Sequence, residues 1–184
     1  MGFSDKLSAA KAAPRPTRDT KVVLDSDVAH RRRELIDAID NAQKPQADGR
    51  LAMGVDIGPL QEELDALEAE FTGSLVTLRF TRMLGMDWAE LVIKNPPRQD
   101  VLVDQYVGNY NVHAVTRAAA IATGAVVNED GTTYAPTATE WDDLFNTISG
   151  AEFNDVVDTV YALNQGEPMQ AVQVALKAQA ATRS

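Results

Sequence analysis

The stretch from Val76 to Pro97 constrains this chain more than any other. It opens Val76-Thr77-Leu78-Arg79-Phe80-Thr81-Arg82, with Val76, Leu78 and Phe80 alternating with Thr77, Arg79 and Thr81. Alternation with period two puts one face on a core and leaves the other polar, so the run is predicted as a half-buried strand. After Gly85 the period changes. Trp88, Leu91 and Val92 sit at i, i+3 and i+4, which is one face of a short helix. An acid in its first turn, Asp87 or Glu90, suits the positive end of the helix dipole. Asn95-Pro96-Pro97 stops it, because a residue before proline is pushed out of the helical region. A strand therefore feeds a helix that buries a tryptophan, and nothing in the stretch is chemically reactive.

Such a strand needs a neighbour. Lys21-Val22-Val23-Leu24 is a second β-prone run, and Asp25-Ser26-Asp27 behind it offers several N-caps. Val28, Leu35, Ile39 and Ala42 then recur at helical spacing, Ile36 widens the stripe, and the helix is expected to end near Lys44-Pro45. Gln46 to Gly58 reads as a polar, glycine-rich connector, and Pro59 suits the start of a second helix. In that helix Leu60, Leu64, Leu67 and Phe71 form a narrow apolar seam, while Glu62, Glu63, Asp65, Glu68 and Glu70 occupy the other faces. A seam this narrow suits one facing helix, and the first helix, with Arg31-Arg32-Arg33, is the obvious mate. The expected product is an antiparallel hairpin whose ends bring the two strands together, a β-α-α-β unit over residues 21–98. The same four seam residues, Leu60, Leu64, Leu67 and Phe71, are the candidate partner-binding residues.

The flanks look simpler. Residues 1–20 are small, basic and broken by Pro14 and Pro16, and are expected to be a flexible tail. Residues 99–166 read as an acidic helical module. A run at Asp100 to Asp104 leads to the turn Gly108-Asn109-Tyr110-Asn111, whose last residue caps a helix from Val112 to Thr123. A loop or small hairpin follows over Val126 to Tyr134. Next comes a helix capped by Thr139 with Trp141, Leu144, Phe145 and Ile148 inside. Ser149-Gly150-Ala151-Glu152 is a capping box for a last amphipathic helix, which Gly166 should end. Residues 167–184 are expected to be an alanine-rich tail, of which Met169 to Ser184 favours helix but has little to mark a face it must bury. The fold class expected is mainly α with a small β element.

Several chemistries are disfavoured by what is missing from these 184 residues. A net charge of −10 argues against nucleic acid and against an anionic membrane surface as partners. No cysteine is present, so disulfides, zinc–thiolate sites and cysteine nucleophiles are excluded. No apolar run is long enough to span a bilayer, and no signal-peptide core is seen. His30 and His113 stand alone, without a second histidine at ligand spacing. Asp25 and Asp27, and the loop at Asn128, Asp130 and Gly131, lack the downstream glutamate of a calcium loop. Gly54, Gly58 and Gly73 are too far apart for a phosphate loop. No catalytic residue, metal ligand or cofactor is expected, and the residues alone lead to a soluble, acidic, mostly helical binding protein.

In their order, these elements resemble the tail assembly chaperones of long-tailed bacteriophages, in the form common among phages of actinobacteria. The likeness rests on the short strand, the acidic hairpin and the strand at Leu75 to Phe80. It continues through Trp88-Ala89-Glu90-Leu91 to Asn95-Pro96-Pro97-Arg98, the turn Gly108-Asn109-Tyr110-Asn111, the run Glu140 to Leu144 and the helix end Leu163-Asn164. It covers about Lys21 to Asn164. Asn109 is an insertion relative to that pattern, and Asn95 stands where a histidine is expected. The resemblance implies a non-enzymatic protein that binds the tape-measure protein and keeps it soluble in the host cytoplasm during tail assembly. It also implies absence from the finished virion, a second, longer form made by ribosomal frameshifting, and association of the chain with itself or with that longer form. A structural tail or connector protein of the virion is the alternative, and an enzyme or metal protein with an unrecognised site is the other rival.

Overall fold

The computed structural model describes residues 2–43 and 56–181. The protein is mainly α with a small antiparallel sheet. Strand β2 (Leu75–Thr81) carries the alternation into space: Leu78 and Phe80 are fully buried, and Val76 packs beside them. It pairs on one side with β1 (Thr17–Val23) and on the other with β3 (Gly124–Val127), which pairs in turn with β4 (Thr133–Tyr134). The register sets Val22 opposite Val76 and Thr20 opposite Leu78, so the apolar sides fall on one face. On the other face Arg79 makes a bidentate pair with Asp19, its direct cross-strand partner.

Between β1 and β2 lies the helical hairpin, α2 (Ser26–Gln43) and α3 (Gly58–Ser74). Asp25 caps α2 by accepting the N–H groups of Asp27 and Val28, and the Leu24 N–H reaches the Ser74 carbonyl to close the base. The β-α-α-β unit is therefore formed as expected. The expected helix end at Lys44-Pro45, and the connector up to Val55, lie outside the described residues.

Downstream come α4 (Gly85–Lys94), α5 (Leu102–Val107), α6 (Val112–Thr123), α7 (Ala138–Thr147) and α8 (Gly150–Tyr161). Trp141, at the centre of the main core, is fully buried and packs against Phe80 and Phe145. Around it lie Val22, Leu78, Ala119, Ala120, Ile148, Val156 and Val160. This cluster draws on both sides of residue 98, and β3 joins the same sheet. The expected division into modules 21–98 and 99–166 thus does not separate two cores. The hairpin keeps a separate cluster, built on Val28, Leu35 and Leu67, and Tyr110, Val112, Val115 and Val157 form a further one beside Trp88 and Leu91.

Three boundaries differ from the sequence reading. Residues 1–20 are not all irregular: α1 (Phe3–Ala12) is a helix with no buried residue, and β1 begins at Thr17. The alanines and lysines of α1 favour helix, and the early start of β1 comes from pairing with Thr81 and Phe80, which local sequence does not show. The cap of α7 is Thr137, not Thr139, because Glu140 bonds back to Thr137 in a reciprocal box. Gly166 does not end the last helix. A π-helical turn, Ala162–Gly166, carries the chain into α9 (Glu167–Ala181), so the expected tail is helical through Ala181.

The box at Ser149 also reaches the sheet. Glu152 takes the Ser149 N–H and hydroxyl on one oxygen and the Val23 N–H, at 2.6 Å, on the other. Burial works against its ionisation, but these bonds outweigh that and hold the carboxyl below its ordinary value.

Candidate functional site

The four seam residues face α2. Leu67 is buried, while Leu60, Leu64 and Phe71 are half-buried at the margin of the same cluster. Arg31 pairs with Glu63 at 2.5 Å and Arg32 with Glu68 at 2.8 Å, and the Arg32 guanidinium lies 4.6 Å above the Phe71 ring. The basic arm and the acidic arm thus meet along the sides of the seam. Its interior is apolar, and the half-exposed members line the open side.

A second site gathers residues far apart in sequence. Trp88 of α4 meets Tyr110 edge to face at 5.9 Å, joining the tryptophan helix to the glycine–asparagine turn. The Asn111 N–H donates to the Asn95 carbonyl at 2.9 Å, which ties that turn to the proline stop. Asn164 accepts the Met83 N–H at 2.8 Å through its side-chain oxygen and donates to the Val160 carbonyl. The tryptophan helix, the proline stop and the Gly108 to Asn111 turn, three of the stretches that carry the resemblance, therefore meet at one corner of the molecule, and Asn164 lies beside Trp88 and Tyr110 there. Gly108 is required there by space: a Cβ would stand 2.2 Å from the Tyr110 ring. Asn109 takes a positive φ of 58°, a conformation asparagine tolerates.

The corner is fixed by a buried carboxylate that the sequence does not single out. Asp104 is fully buried, and one of its oxygens accepts from the Arg98 N–H at 2.9 Å and Nε at 2.7 Å. The other accepts from the Arg98 guanidinium at 2.9 Å and from the Val112 N–H at 3.1 Å. The Arg98 bonds hold this carboxyl far below its usual range in spite of burial, helped by the two backbone donors. Tyr110, beside it in the turn, is pushed up to about 12 by burial, with Tyr161 adding to the shift.

Between α4 and the start of α9 runs a groove of about 360 Å³, lined by Trp88, Ala89, Val92, Tyr110, Pro168 and Met169, with Asn164 and Gln165 of the π-helical turn. No side chain lining it is charged. Elsewhere, Arg117 makes a bidentate pair with Asp142, and His30 sits 3.2 Å from Glu34. His113 packs edge-on against Phe153. Among the described residues no three carboxylates or histidines gather as a metal shell, and no helix is long and apolar enough to cross a membrane. No family model, curated protein or solved structure matches the chain.

Proposed function

We propose that this chain is a tail assembly chaperone of a long-tailed bacteriophage, binding the tape-measure protein and keeping it soluble in the host cytoplasm until the tail tube forms around it. The observation that carries the reading is the convergence just described. Trp88, the Asn95-Pro96-Pro97-Arg98 stop and the Gly108 to Asn111 turn meet around a single corner, and Asn164 lines the groove beside Trp88 and Tyr110. A shared structural role gives a physical reason for such motifs to occur together in that order. The surface is compatible with the task. Helices of an acidic chain expose Met86, Ile93, Leu102, Tyr106, Met169 and Leu176. Apolar side chains of this kind can cover the stripes of a long helical partner, while net negative charge keeps the complex dispersed.

The test is co-expression of the tape-measure protein of the same phage with this chain, alone and together with its frameshift-extended form. Soluble tape-measure protein is expected to rise with at least one of them. No gain from either form, or recovery of this protein as a stoichiometric component of mature tails, would sink the proposal.

A further inference from the structure

The core face of the sheet runs on beyond the core. Val22 and Leu78 are buried on that face, and the register continues it as a diagonal row of Leu24, Val76, Val126 and Tyr134, one side chain from each strand or its end. Leu24 is 43% exposed and Tyr134 48%, so the two ends of the row stand open. With Leu144 of α7 opposite, the row walls a trough of about 390 Å³. That lies within the roughly 300–1,000 Å³ usual for ligand sites.

The rim carries one sign of charge. Glu140, Asp143, Leu144 and Thr147 fall at i, i+3, i+4 and i+7, so α7 turns two carboxylates toward the trough. Among the described residues no lysine, arginine or histidine lines it. Glu140 is held by the Thr137 box and by the Tyr134 hydroxyl, which donates to it at 2.8 Å. Asp143 lies past the first turn of α7, where the helix dipole no longer favours an acid. Its carboxylate has no partner among the described residues, whereas its neighbour Asp142 is paired with Arg117. Beside the trough the sheet ends in open main chain. The Asn128 N–H donates to the Thr132 carbonyl, and Val126 pairs with Tyr134 in the same phase, so the Thr133 N–H and carbonyl point away from β3. A groove next to such edge groups is how an extended peptide adds to a sheet and seats its alternate side chains.

We propose that this trough docks an extended segment of a partner polypeptide, one that carries a large apolar side chain with a lysine or arginine two residues away. The apolar side chain lies on the row of Leu24, Val76 and Val126 and under Leu144. Spacing of two keeps the cation on the same side of the segment, where it meets Asp143 and the free side of Glu140. The main chain runs along Thr133. Charge complementarity selects the partner: two rim carboxylates on a chain of net charge −10 repel an acidic segment and draw a basic one. The trough is separate from the hairpin seam and from the α4–α9 groove, and the proposal does not rest on the chaperone reading.

The experiment titrates the full chain with the acetylated, amidated peptide Thr-Lys-Thr-Leu-Thr-Lys-Thr, read by calorimetry and by methyl chemical shifts. One peptide is expected to bind per chain and to move the methyl signals of Leu24, Val76, Val126 and Leu144. Replacing both of its lysines by glutamate should weaken binding by about tenfold or more. Leu24→Ser and Asp143→Lys should each weaken it by about fivefold or more, whereas Asp158→Lys, the same charge change on α8, should leave it within about twofold. All three positions are exposed, and melting curves confirm that the variants fold; Tyr134→Ser serves as a second apolar variant. Absence of saturable binding, equal binding of both peptides, or shifts confined to other methyls overturns the proposal. So does an Asp158→Lys loss as large as that of Asp143→Lys, which would reduce the effect to net charge. Hexylammonium binding as tightly as the peptide would make the trough a small-molecule site, and loss of self-association in Leu24→Ser would give it to a second copy; either result overturns the polypeptide assignment.

Discussion

Arg98 encloses the carboxylate of Asp104 from two directions, through its backbone N–H and its guanidinium, six residues back along the chain. The pair joins the proline stop to α5, and the Val112 N–H on the same carboxylate joins it to α6. Breaking a buried pair from one side leaves the other partner's charge and the backbone donors unsatisfied. The Arg98 side chain is 37% exposed, so water can take up part of its charge. Asp104→Ala is therefore expected to cost about 3 kcal/mol, the lower end for such pairs, as measured by the denaturant midpoint. The pH dependence has a definite sign. The folded-state value of Asp104 is depressed below 3.8, so its contribution is complete above that pH and is lost as pH falls toward the folded value. The stability gap between the wild type and Asp104→Asn should narrow as pH drops below about 4. A gap that stays constant down to strong acid would show that the ionised pair is not what Asp104 contributes.

Glycine substitutions should separate by space alone. A Cβ on Gly124 would lie 2.6 Å from both the Ala120 carbonyl and the Trp141 ring, and one on Gly108 would enter the Tyr110 ring. Both rings are buried, so neither can swing clear. Gly108→Ala and Gly124→Ala are each expected to cost about 1–3 kcal/mol. Gly73, inside α3, meets nothing within 4 Å, and Gly73→Ala should instead stabilise by up to about 1 kcal/mol. Calorimetric melting of the three variants checks the order, and a neutral Gly124→Ala would mean that Trp141 is packed more loosely than described.

The hairpin and β2 were legible in the sequence because their periods are produced by the surfaces they bury. The start of β1 was not, since Thr17-Arg18-Asp19-Thr20 holds no large apolar residue. Its extended form comes from pairing with a strand some sixty residues away and from the Asp19–Arg79 pair. Gly166 looked like a helix end, but a π-helical turn absorbs it and the helical residues beyond continue the axis. In the sequence Asp104 is only the end of the short run from Asp100, because nothing local distinguishes a buried carboxylate from a solvated one. The stripe on α9 was faint for a different reason: the described structure leaves Met169, Val172 and Leu176 exposed, so nothing within this chain demands a strict period.

The seam of α3 allows stability and partner binding to be measured apart. Leu67 lies inside the hairpin cluster, only 6% exposed, whereas Leu60 is half-buried at its margin. Leu67→Ala removes buried methyl groups and is expected to cost about 2–3 kcal/mol. Glu63→Gln touches only an exposed pair with Arg31 and should leave the melting temperature almost unchanged. Leu60→Glu changes the open side of the seam, so its larger effect is expected in the co-expression assay, as a loss of soluble tape-measure protein by a chain that still melts cooperatively. The attraction in this reading is mainly apolar, and moderate salt should weaken the complex only slightly. The opposite pattern, with Leu60→Glu solubilising as well as the wild type while Leu67→Ala melts normally, would show that the hairpin neither packs as described nor contacts the partner. Binding would then have to lie elsewhere on the surface, with the exposed faces of α4 and α5 the next to be substituted.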